Sequence, residues 1–600
     1  MRRVSAQKGG GVQEDFDTET PGGGADTPNR TEAWAANGAA SRNADTLTAF
    51  LAESVARFAD KAAVEFFDRT WTYSEIDALS DRFAAGLASV GVRKGTRVGL
   101  CLPNCPYSVI SFFAVLKAGG IVVNFNPLYT GREIRDQVRD SGTEFMITLD
   151  LAAVYGNLGS IVGETGLKQV VICPMAKALP SMKGLLFRLF KRSDLARIPD
   201  DQQHLRFDAL MRDAANAPVP KIETAPSDIA VLQYTGGTTG VPKGAMLSHG
   251  ALVANARQLV HQGNQCGLLV EGEEMVMCVL PFFHVFAMTV CMLYAVQIGA
   301  SMLLVPRFNR DELIPLMERR KPTLFPAVPT IYGAINSVAQ TRKVHLESLK
   351  LCISGGAPLP NEVRVDFEKL TGCRLAEGYG LTECSPVVSV NPLDGSPGRP
   401  GSAGLPMAGT TLEIRDSENP AVLLPTGVKG ELWVRGPQVM SGYWNRPDET
   451  AHVLRDGALR TGDVGYLDED GYLYLVDRLK DLIICSGYNV YPRVIEEALY
   501  EHDAVAEAIV IGVHDAYRGE RPKAFVSLRK DAQVTVEELH EFLVPRLSKI
   551  ELPRDIEIRD TLPRTMVGKL SKKELIEEER RASHDGAKVN VGEADSHVDG

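Results

Sequence analysis

The sequence predicts an α/β protein with a large N-terminal domain of several subdomains, α/β layers plus a β-rich part, followed by a small α+β C-terminal domain. Three observations carry this. Apolar strands alternate with amphipathic helices through the first half, the pattern of a parallel sheet covered on both faces. From about Gly404 the texture changes to short alternating strands with Gly and Pro turns. Finally, 600 residues are too many for one compact core, so at least two domains are required.

Residues 1–44 hold few large apolar side chains and are expected to form a disordered tail. Order begins at Leu47, where Phe50, Leu51, Val55 and Phe58 keep helical spacing. Thr72 and Glu75 make a capping-box pattern for a second helix that stops near Gly91. Val98–Leu102, Ile121–Val123 and Phe145–Ile147 read as buried strands separated by helices at about Tyr107–Ala118 and after Thr130, again with Glu133 at capping spacing. Alternation resumes at Val276–Leu280, Met302–Val305 and Leu349–Ser354. TTLEIRD, GELWVRG and GYLYLVD are the β-rich strands. The charged DRLKD segment marks a boundary, giving a domain over 45–477 and another over 478–580, with a second disordered tail over 581–600. In the last domain Thr535 and Glu538 cap a helix, and Ser571 with Glu574 cap another, leaving Lys569 in the loop before it.

Composition narrows the function classes. Apolar content of 44 % and charge of 24 % are those of a soluble globular protein. The balance of 65 basic and 76 acidic side chains, net −11, argues against nucleic acid as a partner. Ten cysteines without zinc spacing fit reduced thiols in a cytoplasm. The N-terminus lacks the apolar stretch of a secretory signal, and no run approaches a membrane span. Residues 179–198, LPSMKGLLFRLFKRSDLARI, are basic and amphipathic. Their plain reading is a helix packed on its domain; their sharper reading is a weak peripheral contact with the membrane.

The central stretch is YTGGTTGVPKGA, Tyr234–Ala245, led in by an apolar strand at Ile229–Leu232. Thr235, Gly236, Gly237, Thr238, Thr239 and Gly240 offer close backbone approach and hydroxyl donors, and Lys243 adds positive charge. That chemistry suits a polyphosphate. It is not a Walker A loop, because Pro242 precedes the lysine, Gly244 follows it, and helical spacing starts only near Ala251.

Together with LPFFHVFAM (Leu280–Met288), ISGGAPLP (Ile353–Pro360), EGYGLTE (Glu377–Glu383), GYW at Gly442, TGD at Thr461, DRLKDLIICSGYNVYP (Asp477–Pro492) and PRTMVGK ending at Lys569, this loop resembles the acyl-adenylate-forming superfamily. NFNPLYTGRE, Asn124–Glu133, looks like its long-chain fatty acid–CoA ligase branch. The resemblance spans roughly Leu47–Glu578 and implies a mobile C-terminal domain, with ATP, Mg²⁺, coenzyme A and a medium- to long-chain fatty acid as the reaction's components. It implies that Thr235–Lys243 folds over the β- and γ-phosphates, and that Gly378, Tyr379, Gly380 and Thr382 face adenine and the α-phosphate. Glu383 would hold Mg²⁺; Gly355, Gly356 and Ala357 would leave room for acyl chain and adenine; Asp463 and Arg478 would take the ribose. Lys569 would stabilise the adenylation transition state, His284 would stand at the acyl and thiol-tunnel junction, Lys480 would be the hinge, and Gly487 would line the tunnel for coenzyme A.

One position departs from the family pattern: Val494 stands in Arg493-Val494-Ile495-Glu496 where a glutamate is usual. Two acceptors fit the same adenylation motifs, coenzyme A or the phosphopantetheine of a carrier protein, and another carboxylate–CoA ligase fits them as well. A P-loop switch is disfavoured by the missing lysine–serine pair, and a catalytically dead binding protein by the presence of Glu383, Asp463, Arg478 and Lys569. Chain length and oligomeric state stay open.

Overall fold

The structure, a computed structural model, describes residues 45–235, 242–394, 396, 398–486, 488–515, 517–565 and 569–581. The expectations for residues 1–44, for Gly236 to Gly240, for Gly487 and for the residues from 582 onward lie outside these.

Two α/β layers dominate, as expected. A seven-stranded sheet runs in the order His204–Arg206, Gln169–Cys173, Phe145–Leu149, Arg97–Cys101, Ile121–Asn124, Ile229–Thr235, Lys243–Ser248. All its neighbours pair in parallel except the last two, which form an antiparallel hairpin. A nine-stranded sheet has a parallel centre, Leu375–Gly380, Leu351–Ser354, Leu324–Ala327, Met275–Cys278, Ser301–Leu304 and Ala62–Phe66. Antiparallel strands close both edges. The central strands are buried along their whole length, which is why they read as continuous apolar runs.

The local signals work as their chemistry demands. Thr72 accepts from the Glu75 N–H while the Glu75 carboxylate accepts from the Thr72 N–H, and Thr130–Glu133 and Thr535–Glu538 repeat this reciprocal cap. Each such cap stabilises its helix by about 1 kcal/mol. The helices they open, Tyr73–Ser89, Gly131–Ser141 and Val536–Leu543, start where the caps put them.

Several strands escape the sequence reading, Gln169–Cys173 and Leu324–Ala327 among them. Ala62–Phe66 and Arg69–Thr72 form a hairpin whose turn holds Phe67 and Asp68 at φ 48° and 71°. Hairpin turns with positive φ normally announce themselves by Asn-Gly or Asp-Gly, and here that signal is absent. The strand Lys243–Ser248 was also passed over, because Pro242 and the glycines around it read as loop.

Thr411–Arg415, Gly430–Arg435, Ala458–Leu467 and Leu473–Arg478 make the antiparallel β-rich sheet. The last sheet uses only residues beyond Leu482: Tyr488–Val490, Ile483–Cys485, Gly519–Leu528 and Val505–Asp515, with Asp555–Ile558 added in parallel. A final helix covers 572–581. The segment 179–198 forms a helix packed on its domain, the plain reading, but by a narrow face. Its helix Ser181–Phe190 touches the protein through Gly184 and Phe187, while its other apolar side chains stay exposed.

Candidate active site

Parallel strands present their carboxyl ends at one edge of the sheet, where ligands of α/β proteins commonly sit. Three strands of the nine-stranded sheet deliver the expected residues there. Gly355 and Gly356 follow Leu351–Ser354, Gly378, Tyr379 and Gly380 finish Leu375–Gly380, and His284 follows Met275–Cys278. A short turn, Thr382–Cys384, then carries Thr382 and Glu383.

Strand register supplies the next pair. In the β-rich sheet Asp463 lies directly opposite Arg478, and the guanidinium Nε stands 3.1 Å from Asp463 Oδ1. The other carboxylate oxygen accepts the Tyr379 hydroxyl. Asp463 is 6 % exposed. Buried carboxylates persist only when paired and hydrogen-bonded, and these two partners meet that need. Burial, then the Asp463 charge, pushes the Tyr379 phenol well above its usual range. Tyr379 therefore acts as a neutral donor, and its hydroxyl, assigned no role from the sequence, positions Asp463.

Lys569 reaches this group from the far end of the chain. Its N–H donates to Thr565 Oγ1 at 3.2 Å and its carbonyl accepts from the Thr565 N–H at 2.6 Å. It lies against Gly356, which has φ +84°; a Cβ there would meet Lys569 Cε at 2.6 Å. The backbone conformation favours glycine, and a larger residue would also push the end of the lysine side chain aside. Burial disfavours the ammonium and Arg478 repels it, lowering its pKa to about 8. Burial, then the Lys569 charge, drives His284 down to about 3. His284 is thus a neutral imidazole at any working pH. It is also the residue before the short helix Val285–Ala287, which continues into a π-helical stretch, Met288–Leu293.

The glycine loop joins the two antiparallel strands of the hairpin, with Thr235 paired to Lys243 at its base. A network of side chains from four parts of the chain holds that base. Tyr234 donates to Asp140 Oδ2 at 2.6 Å, Arg446 pairs with Asp140 Oδ1 at 2.5 Å and with Glu449 at 3.7 Å, and Glu449 pairs with Lys243. The Lys243 ammonium also lies 5.4 Å from the Tyr443 ring centre. Tyr443 donates from its hydroxyl to Glu383 Oε1 at 2.7 Å. The GYW turn can reach both because it lies along the strand after the loop: Met246 donates to the Gly442 carbonyl and Trp444 to that of Gly244, each at 2.8 Å. Asp140, Tyr443, Arg446 and Glu449 were not singled out from the sequence. Tyr443 stood in the GYW motif and offered the only hint.

Glu383 is suited to a hard divalent cation. Tyr443 fixes one carboxylate oxygen, and among the described residues no hydrogen bond engages the other. No cluster of three or more His, Cys, Asp or Glu exists among the described residues. A single carboxylate fits Mg²⁺, which takes most of its ligands from water and phosphate oxygens.

Lys480 sits in the short turn Leu479–Asp481 beside this group; burial, then Arg478, lowers its pKa. The helix Pro492–Tyr500 packs behind the site. Its Arg493 N–H donates to Asp477 Oδ2 at 2.9 Å, and its Glu496 accepts from the Val510 N–H at 2.8 Å and pairs with Lys572 at 3.2 Å. Val494, in place of the usual glutamate, is half-buried and leaves these contacts intact. Glu377 faces the same helix; burial raises its pKa to about 7 although Arg493 counters it.

Comparison with known proteins identifies the family. The profile described as AMP-binding enzyme matches residues 51–444, and that described as AMP-binding enzyme C-terminal domain matches residues 494–569. A protein named long-chain-fatty-acid–CoA ligase from Bacillus subtilis strain 168 is 44 % identical over 545 residues, 90 % of this chain and 95 % of that protein. One of the same name from Escherichia coli O6:H1 is 38 % identical, covering 88 % and 93 %. The ATP-bound crystal structure of MatB from Rhodopseudomonas palustris superposes with a TM-score of 0.76 at 29 % identity, covering 88 % of this chain and 98 % of that one. With two thirds of its length matched by the first profile and the ordered site in place, this chain belongs to the AMP-binding enzyme family.

Proposed function

We propose that this protein is an ATP-dependent medium- to long-chain fatty acid–CoA ligase. In the first half-reaction a carboxylate oxygen attacks the α-phosphorus of ATP, the bond to the β-phosphate oxygen breaks, and pyrophosphate leaves. In the second the coenzyme A thiol, losing its proton, attacks the acyl carbonyl and AMP departs. The observation that carries this reading is electrostatic. Arg478 and Lys480 each lie within interaction range of Asp463 and Glu383, Lys569 lies within range of Arg478, and Tyr443 links Glu383 to Lys243. The relatives at 38–44 % identity, named for long-chain fatty acids, support the substrate class.

Each residue then has a task. Asp463, already oriented by Tyr379 and Arg478, accepts the ribose hydroxyls. Lys569 places its charge between the attacking carboxylate and the α-phosphate as charge builds there, a contribution of roughly 2.7–4 kcal/mol for a well-aimed donor. Lys243 exchanges Glu449 for the terminal phosphates, with the Thr235–Gly240 loop closing over them. Thr382 contacts the α-phosphate. Mg²⁺, held by Glu383, would neutralise phosphate charge. Residues 478–580 form the mobile domain, turning at Lys480 so that Gly487 meets coenzyme A.

Product analysis tests it. Purified enzyme with ATP, Mg²⁺ and acids from short to long chain should release AMP and pyrophosphate, and thioester when coenzyme A is added. Release of ADP and phosphate would overturn the reading. Adenylate that accumulates and ignores coenzyme A would move the acceptor to a carrier protein.

A further inference from the structure

The helix Ser181–Phe190 spends its apolar side chains on the outside. Leu185 is 55 % exposed, Leu189 63 %, Met182 70 %, Leu186 44 % and Phe190 78 %. At about 100° per residue these five follow one another around a single arc of roughly 140°. Gly184 and Phe187 occupy the opposite side and pack against the protein. Gly184 is buried so tightly that a Cβ would stand 2.3 Å from the Ala176 carbonyl oxygen. The helix is therefore fixed in rotation, and its exposed stripe is not a consequence of loose docking. Beyond the helix the chain is tied down, where the Ala196 N–H donates to the Asp150 carbonyl at 2.9 Å.

Charge frames the stripe. Lys183 borders it beside Phe190, and Arg188 borders it beside Leu185. Lys191, Arg192 and Arg197 follow directly, all exposed. Residues 179–198 thus hold five basic side chains and one acidic, Asp194, in a chain whose net charge is −11. Asp194 lies 3.8 Å from Lys191, and Asp68 pairs with both Lys183 and Arg319. The Lys183 ammonium also donates to the Phe67 carbonyl at 3.3 Å, which brings the turn at Phe67, itself 47 % exposed, against the helix.

We propose that this stripe, Met182, Leu185, Leu186, Leu189 and Phe190 with Phe67 at its edge, docks on an anionic lipid bilayer. A helix with a wide Leu/Phe face between basic borders lies in the plane of a membrane surface, apolar face among the acyl chains and cations at the headgroups. A second copy of the chain would set two basic rims against each other, which disfavours self-association through this face. The inference extends the ligase reading, whose substrate partitions into bilayers, but it stands on the surface alone and is measured without substrate. Its failure and the failure of that reading are therefore separate results.

The test is sedimentation of the full chain with phosphatidylcholine vesicles, with or without phosphatidylglycerol, at low salt and at about 0.5 M salt. Wild type should pellet with the anionic vesicles at low salt and be released by salt. Leu186→Asp/Phe190→Asp should cut the bound fraction about tenfold or more, and Arg188→Glu/Arg192→Glu should do so on anionic vesicles, both with unchanged melting temperature because every site is exposed. Absence of binding at low salt, or equal binding by wild type and the double aspartate variant, overturns the proposal. So does a wild-type dimer that the aspartate variant dissolves, which would assign the face to a second copy.

Discussion

Lys569 carries a pKa of about 8 because burial disfavours its ammonium and Arg478 pushes the same way. The free-enzyme pKa of an essential group shapes kcat/KM, so raising the pH should disarm adenylation. The sign follows from the charge required: the lysine acts as a cation, and above pH 8 the cationic fraction falls towards tenfold per unit. By pH 9 about one-tenth of the enzyme should remain armed. His284, at about 3, is neutral throughout this range and adds no second limb. Bound ATP brings phosphate charge that favours the ammonium, so the limb in kcat should sit at higher pH than the limb in kcat/KM. The assay is fatty-acid-dependent exchange of pyrophosphate into ATP, followed from pH 6 to 10. Lys569→Arg supplies the control, since guanidinium stays charged across the range. That variant should be slower, through imperfect fit against Gly356, yet flat in pH. A profile with no falling limb near pH 8–9, or one that persists unchanged in Lys569→Arg, would refute the reasoning.

Other expectations follow from the same contacts. Tyr443→Phe removes the hydroxyl from Glu383 but keeps the ring beside Lys243; the Mg²⁺ concentration needed for half-maximal exchange should rise about 10-fold or more at unchanged melting temperature. A fall in melting temperature with the same Mg²⁺ dependence would make the tyrosine structural. Glu449→Gln frees Lys243 from its carboxylate, so the KM for ATP should drop, and a rise would show that Glu449 instead positions the lysine. Lys480→Pro fixes a φ that a hinge must change; adenylate should form at near wild-type rate while thioester formation slows severely. Equal rates in both steps would move the hinge elsewhere.

Much of this architecture was legible because strand and helix signals are local. Capping boxes at Thr72, Thr130 and Thr535 and apolar runs such as Ile121–Asn124 are decided by neighbours within a few residues. The site was legible for another reason: its motifs occur in a fixed order, and order restricts chance agreement far more than any one motif. What was hidden is long-range or hinges on side-chain aim. Asp140 contacts Tyr234 and Arg446 across 94 and 306 residues, and nothing near Asp140 announces either partner. The Tyr379 hydroxyl on Asp463 depends on how two different sheets meet. The direction of the Ser181–Phe190 stripe turns on one glycine, since periodicity locates an apolar face without saying which side the protein takes. The Phe67–Asp68 turn was hidden because its first positive φ fell on a phenylalanine, which seldom adopts it, with no glycine beside it.

The most direct test of the account separates its two half-reactions at Lys569. Lys569→Ala should lower fatty-acid-dependent pyrophosphate exchange by roughly 10²–10³-fold or more, since a charge aimed at the transition state is lost. Given synthetic acyl-AMP and coenzyme A, the same variant should form thioester at close to the wild-type rate. Equal loss in both steps would contradict the assignment of Lys569 to adenylation and reduce it to a structural contact with Gly356.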